Sequence, residues 1–308
     1  MNPVDLADVR SRARAAFLGL ALGDALGATV EFLTPAEIRA AHGVHREIIG
    51  GGWLHLRPGR VTDDTEMALC IARAIDVAGG WDLRGVAERF VSWMRAGPSD
   101  IGSTCRKGIR RFMLEGSLEG PPHEGDGGNG AAMRVLPVAL FTAADGPLQA
   151  RLAVEQARIT HHHPLSDAGT VHVGELVHLA LLGRGKPRLR RASDALVGRH
   201  PRFAFDPYPG RASGFVVDTL QTVLHVFFGT RGLEECVVAA VNRGEDADTT
   251  GAIAGAIAGA YYGEEQLPRR WLRRLDPAVR EELEALADRL VLLSPLARGE
   301  PPVEGVEP

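Results

Sequence analysis

The segment TGAIAGAIAGAYY, residues 250–262, decides the fold class. Its glycines fall at 251, 255 and 259, one in every four residues. On a helix that spacing lines them up on one face, where the missing side chains let a second backbone approach closely. The same pattern can pack membrane helices, but a membrane span needs roughly 20 apolar residues. This segment is shorter, follows Asp246 and Asp248, and is closed by Glu264 and Glu265. The reading is a tightly packed internal helix.

Working outward, the same period recurs. Between Asp82 and Met94 the apolar residues Leu83, Val86, Ala87, Phe90, Val91 and Met94 follow the i, i+3, i+4 spacing of an amphipathic helix. Similar stripes cover 65–78, 131–143, 150–160, 166–182, 215–228, 233–241 and 278–293. A second small-residue helix runs from Arg14 to Ala28, with Asp24 among apolar neighbours. Alternating patterns are nearly absent, so any strand is short and falls around Arg46 to Trp53. Glycine- and proline-rich stretches at 116–130 and 206–214 read as long loops, a type that is uncommon unless it serves function. No repeat or linker divides the chain. The expectation is one all-α domain over 1–308, with a core of 12–295 and a frayed, disordered tail at 298–308.

Bulk properties narrow the function classes. A net charge of -4 argues against a nucleic-acid binder, which would carry a basic bias. Cys70, Cys105 and Cys236 form no CxxC pair, and Met1 to Arg10 hold no apolar signal core. Both features point to a cytoplasmic protein with cysteines serving as small core hydrophobes.

Two acidic clusters stand directly before apolar helices: Thr62-Asp63-Asp64-Thr65 and Asp246-Ala247-Asp248-Thr249-Thr250. Helix capping would explain one such residue per helix. Two acids beside so apolar a helix call for a partner, because buried carboxylates are costly alone. Hard oxygen ligands favour Mg²⁺, Mn²⁺ or Ca²⁺ over zinc, and five or six of them could hold two ions about 4 Å apart. Gly125-Asp126-Gly127-Gly128-Asn129-Gly130 looks like a glycine-rich loop entering a helix. Bare N–H groups there would suit a phosphate, although a flexible loop reads equally well. In Ile159-Thr160-His161-His162-His163-Pro164, consecutive histidines point in different directions, so they read as ligand contacts or caps rather than three metal ligands. Arg106, Lys107, Arg110 and Arg111 make a basic helix face, either merely solvated or a dock for an acidic partner.

With these pieces on view, the chain resembles the ADP-ribosylglycohydrolase family. The likeness rests on GLALGDALG (19–27) with Glu31, on TDDT (62–65), GNGAAM (128–133), Thr160-His161 and DADTTGAIAG (246–255), in that order. Longer stretches carry it to the branch of the family that acts on dinitrogenase reductase, the nitrogenase iron protein. They are GGGWLHLRPGRVTDDTEM (50–67), GSTCRKGIRRFM (102–113), EGDGGNGAAMR (124–134), HHHPLSDA (161–168) and VDTLQTVLH (217–225).

The resemblance implies an orthogonal all-α bundle and a centre of two Mn²⁺ ions, or Mg²⁺, held by Thr62, Asp63, Asp64, Asp246, Asp248 and Thr249. It implies hydrolysis of the α-N-glycosidic bond between ADP-ribose and an arginine of the iron protein. Asn129, Gly130, Ala131 and Met133 would hold the diphosphate, and Gly102, Ser103, Thr104 and His161 would contact ADP-ribose. Asp100 would act as acid/base on the ribose, and Glu31 would position water or an ion. From the residues alone, Asp100 reads as a helix cap and Glu31 as a surface acid. PII signal proteins and an ammonium transporter are the implied regulatory partners, with reversible membrane association through them.

Two positions depart from the family pattern. Glu245 replaces a glycine before DAD, and Phe215 replaces a tyrosine expected beside the ribose, keeping its ring. The competing readings are a general ADP-ribosylarginine hydrolase, an all-α metal-dependent nucleotide pyrophosphohydrolase, and a binding protein that has lost catalysis. The pyrophosphohydrolase reading lacks a dominant ExxE pair, and the binding-protein reading conflicts with a complete ligand set.

Overall fold

The computed structural model describes residues 5–303. Among the described residues, fourteen α-helices and three short 3₁₀ turns make up the regular structure. The α-helices are α1 Leu6–Gly27, α2 Pro35–His42, α3 Asp63–Ala78, α4 Leu83–Arg95, α5 Ser103–Glu115, α6 Leu136–Phe141 and α7 Gly146–Arg158. There follow α8 Pro164–Leu181, α9 Lys186–Arg199, α10 Val216–Gly229, α11 Leu233–Val241, α12 Ala247–Tyr262, α13 Arg269–Leu272 and α14 Pro277–Leu292. No strand forms among the described residues. The stretch expected to hold one contains an isolated Gly51–Leu56 bridge.

Helix α12 lies at the centre and is buried from Ala247 to Ala260. It is enclosed by α1, α8, α10 and α11, as an all-round apolar helix requires. Its glycines do what the spacing predicts. A Cβ added to Gly255 would lie 2.0 Å from the Gly19 carbonyl oxygen, and one on Gly23 would lie 2.0 Å from that of Gly251. Backbone meets backbone along the whole α1–α12 seam, with Gly27 against Ala247 and Gly259 against Ala15 at its ends. Helix α14 covers the outer side of α1, α3 and α6.

Several expectations are corrected. The stripe at 131–143 is not one helix: residues 130–134 form turns, and α6 begins only at Leu136 behind Pro137. Helix α1 starts eight residues earlier than Arg14, at Leu6, capped by the Asp5 side chain. Helices α2 and α9 escape the periodicity because their buried stripes are thin: Ile38 alone in α2, and Leu189, Ala192, Ser193 and Leu196 among the arginines of α9. The tail is not loose as far as it is described. The Val303 N–H donates to Ala144 and its carbonyl accepts from Gly146, which straps residues 300–303 against the start of α7. Residues 304–308 of the expected tail lie outside the described residues.

Candidate active site

Helices α3, α5 and α12 all begin at one place, and none is capped by its own N-cap side chain. Capping therefore does not account for the two acidic clusters. The start of α3 is capped from another helix. Asp24 on α1, fully buried, accepts from the backbone N–H groups of Thr62 at 3.0 Å and Thr65 at 3.2 Å, and from the Thr65 hydroxyl at 2.5 Å. The seam thus has a chemical purpose: only helices in backbone contact bring Asp24 of α1 and Asp248 of α12 to the same end of α3.

Around that end the hard oxygens converge. Thr62 Oγ1 donates to Asp64 at 3.3 Å and Asp248 at 3.4 Å, and Thr249 Oγ1 donates to Asp64 at 3.2 Å. Glu31, Asp246 and Asp248 place ligand oxygens within 4.8 Å of one another. Asp248 belongs to both groups, so the two sets of oxygens adjoin. Asp63 accepts from the Gly102 N–H at 3.3 Å, and Asp246 accepts from Asn129 Nδ2 at 2.6 Å. All six ligands expected from sequence are brought together. Glu31, expected to be a surface acid on residues alone, lies with them, its carboxylate close to those of Asp246 and Asp248. It is 6 % exposed and is held by the Trp53 indole N–H at 2.6 Å.

Electrostatics show that protein alone does not satisfy this cluster. Burial raises the pKa of Asp24 to about 6 and those of Glu31 and Asp63 to about 8, with neighbouring carboxylates adding to the rise for the last two. Asp64 and Asp248 are pushed well above the usual range, first by burial and then by each other's neighbourhood of acids. Asp64 Oδ1 is buried without a hydrogen-bond partner. A buried acceptor with no donor is costly, and a divalent cation would satisfy it. The donor set fits a hard metal ion.

Glu31, Asp63, Asp64, Asp246, Asp248 and Thr249 line a cavity of about 630 Å³, a size suited to a nucleotide-like ligand. Asp100, Gly102, Ser103, Thr104, Gly128, Asn129, Gly130, Met133 and His161 all line it. Asp100 accepts from the Ile101 N–H at 2.7 Å rather than capping α5, and burial raises its pKa.

Two expected contacts are not brought to the cavity. Ala131 is buried, with its carbonyl accepting from Gln156 Nε2. The Phe215 ring sits over Gly127 and beneath the Arg202 guanidinium, 5.1 Å from the ring centre. Part of the loop backbone is internally bonded: Asn129 donates to Gly214, while Ala132 and Met133 donate to Asn129. The basic face is narrower than it reads. Arg111 is half-buried and donates to the Ile159 carbonyl at 2.7 Å, while Arg106, Lys107 and Arg110 are exposed, with Lys107 paired to Asp126 at 3.5 Å.

Phe32, Trp53, Cys105, Arg211, Ser213 and Gly214 also line the cavity and were not singled out from sequence. Ser213 and Gly214 lie in or beside the long loop flagged as functional, and Trp53 follows three glycines, so faint signals existed.

The glycine preference before DAD has a backbone cause. Residue 245 has φ 52°, in the left-handed region that favours glycine. Glu245 tolerates it while its side chain accepts from the Ala212 N–H at 2.9 Å.

A fold of this kind with an acid-lined end to a nucleotide-sized cavity defines a class, and the ADP-ribosylglycohydrolase family model matches residues 5–300. The chain belongs to the ADP-ribosylglycohydrolase family, which displaces the pyrophosphohydrolase reading. It is 49 % identical to the ADP-ribosyl-[dinitrogen reductase] glycohydrolase of Rhodospirillum rubrum, over 94 % of this chain and 98 % of that one. It is 31 % identical to the ADP-ribosylarginine hydrolase Tri1 of Serratia proteamaculans, over 92 % of this chain and 80 % of the relative. Among solved structures, an ADP-ribosylglycohydrolase-related protein complex matches with a TM-score of 0.83 and 36 % identity, covering 93 % of this chain and 99 % of that one. No described helix is long and apolar enough to cross a membrane.

Proposed function

We propose that the protein removes ADP-ribose from a modified arginine of dinitrogenase reductase, as a metal-dependent N-glycosyl hydrolase built on one domain. One observation carries this reading: a single cavity joins the acidic centre at the starts of α3 and α12 to a wall of Gly128, Asn129, Gly130 and His161. Thr62, Asp63, Asp64, Asp246, Asp248 and Thr249, with Glu31, would hold two divalent ions, Mn²⁺ or Mg²⁺. When bound, the ions supply Lewis-acid charge and a fixed frame for ribose oxygens.

The chain's own residues do the rest. Asn129, anchored on Asp246 and on Thr219 Oγ1 at 2.9 Å, fixes the loop that faces the phosphates. Gly102, Ser103 and Thr104, at the start of α5, face the same space, and the last two offer hydroxyls to the ligand. Asp100 lies beside Asp63 and is only half-buried, so its carboxyl can exchange a proton with the substrate while Asp63 stays with the metal group. A raised pKa brings such a group towards the operating pH of a general acid or base.

The 49 % likeness to the Rhodospirillum enzyme supports dinitrogenase reductase as the target. The likeness to Tri1 favours a second reading, a general ADP-ribosylarginine hydrolase. Resemblance alone extends the first reading to control by a PII signal protein and an ammonium transporter, in a cytoplasmic enzyme that visits the membrane through them.

The test measures ADP-ribose release from modified iron protein and from an unrelated ADP-ribosylarginine peptide, with Mn²⁺, with Mg²⁺ and with EDTA. Release from the iron protein with Mn²⁺, abolished by EDTA, is expected. Equal rates on both substrates favour the general hydrolase, and no release from either removes the proposal.

A further inference from the structure

Arg134 is a buried cation that hydrogen-bonds to no carboxylate among the described residues. It follows the glycine-rich loop, and its side chain is 0 % exposed, packed 4.6 Å over the Phe90 ring. Nε donates to Gln156 Oε1 at 2.8 Å, and Nη2 donates to the Gln156 carbonyl at 2.9 Å and to Thr160 Oγ1 at 2.8 Å. Burying a guanidinium without a counter-charge is expensive. A core that needed only volume there would hold a leucine or methionine.

The Thr160 hydroxyl completes the chain. It lies 2.7 Å from His161 Nδ1 and 3.5 Å from the Ala157 carbonyl. A guanidinium can only donate, so Thr160 Oγ1 must accept from Arg134 and still has one proton to place. The short contact is to His161. If His161 Nδ1 carried the proton instead, the Thr160 hydroxyl would be left with only the 3.5 Å carbonyl, close to an unmade bond in a buried site. Thr160 therefore donates to Nδ1, and the imidazole proton sits on Nε2.

That nitrogen faces the ligand space. A Cβ on Gly128 or on Gly130 would lie 3.2 Å from His161 Nε2, so these glycines keep the Nε2 edge clear. The Nε2 edge has no protein acceptor among the described residues, and the ring lines the cavity while only 2 % exposed. Burial and the nearby Arg134 hold the ring neutral, lowering its pKa to about 3.

We propose that Arg134 and Thr160 are positioning residues that lock His161 in its Nε2–H tautomer, making it a fixed, uncharged donor to an anionic or hydroxyl oxygen of the bound ligand. The proposal rests on the reading that this cavity takes ADP-ribose. It also explains the placement of Gln156, whose Nε2 donates to the Ala131 carbonyl at 3.0 Å and ties the same cation to the loop's backbone. The cation's charge reaches the ligand only as a polarised hydroxyl and an oriented ring, so an acid-rich cavity gains a donor without gaining an ion partner for its carboxylates.

The experiment has two arms, both on the full chain. The first reads the His161 tautomer by ¹⁵N–¹H correlation through the ring in wild type, Thr160→Val and Thr160→Ser. Nε2–H in wild type, a mixed or Nδ1–H ring in Thr160→Val, and restoration in Thr160→Ser are expected. An Nδ1–H ring in wild type, or an unchanged ring in Thr160→Val, overturns the relay. The second arm titrates ADP-ribose. Thr160→Val should weaken binding about tenfold, the size of one hydrogen bond to a charged oxygen, and Thr160→Ser should bind like wild type. Unchanged affinity in Thr160→Val overturns the ligand contact. Failure of wild type itself to bind ADP-ribose overturns both the ligand contact and the function reading, while the tautomer arm still decides the relay. Thr160 is the chosen site because Arg134→Met would strand the partners of a buried cation and need not fold.

Discussion

At Asp100 the structure sharpens a choice between a cap and a proton carrier. Its carboxylate accepts from the Ile101 N–H and caps nothing, so Asn in its place disturbs no helix end. Asp100→Asn should lower kcat by roughly 10² to 10⁴, the usual contribution of a general acid or base. Metal content and ADP-ribose affinity should stay close to wild type. Near-normal turnover removes Asp100 from the chemistry, and loss of metal makes it a ligand. At residue 245 the prediction concerns backbone strain. The left-handed conformation costs a non-glycine residue on the order of 1–3 kcal/mol, and the Ala212 hydrogen bond returns about 1 kcal/mol. Glu245→Gly should therefore stay within about 1 kcal/mol of wild type, with Glu245→Ala about 1 kcal/mol less stable than Glu245→Gly. Urea midpoints decide it, and an alanine variant at least as stable as the glycine one defeats the strain account. At this scale sequence reading went only so far. The six candidate ligands announced themselves as two clusters, but Asp24 showed only as an acid among apolar neighbours and Arg134 carries no local signal. One acid among alanines and one arginine after a loop acquire meaning only from partners 38 and 26 residues away.

Among elements, the α1–α12 seam was legible from glycine spacing alone, because a missing side chain every fourth residue has few other uses. Its partner helix was legible for the same reason. The glycine-rich loop was misread where Pro137 and the turns at 130–134 delay α6. Helix propensity rewards Gly→Ala by about 1 kcal/mol, so the seam should invert the ordinary rule. A Cβ at position 198 of α9 meets nothing within 4 Å, whereas one at 255 meets the Gly19 carbonyl at 2.0 Å. Gly198→Ala should raise the melting temperature. Gly255→Ala should cost about 1–3 kcal/mol as overpacking and weaken Mn²⁺ binding by moving Asp248 away from Asp64. Calorimetry with a metal titration reads both. A stable Gly255→Ala protein with unchanged metal affinity would show that the seam does not set the site.

For the molecule as a whole, the crowded carboxylates predict how stability depends on pH once metal is chelated. Free carboxylates titrate near 4, whereas Glu31 and Asp63 in the folded chain titrate at about 8. Between those values the folded chain holds more protons than the unfolded one, so stability falls as pH rises from about 4 to about 8. Saturating Mn²⁺ should remove most of that slope, with its largest stabilisation at the alkaline end. Denaturation in urea at stepped pH, with and without EDTA, measures it; a flat or rising profile in the chelated protein contradicts the proposed electrostatics. The seam has a different consequence for anyone mapping the chain by mutation. A complete substitution scan should show intolerant columns at 19, 23, 251, 255 and 259, where alanine is rejected almost as firmly as tryptophan because the neighbouring backbone fills the space. Selection at those columns acts on volume and is indifferent to charge or reactivity. Ranking residues by intolerance alone would place these chemically silent glycines beside the acids proposed to hold metal, and only a metal-binding readout beside a stability readout would tell the two kinds apart.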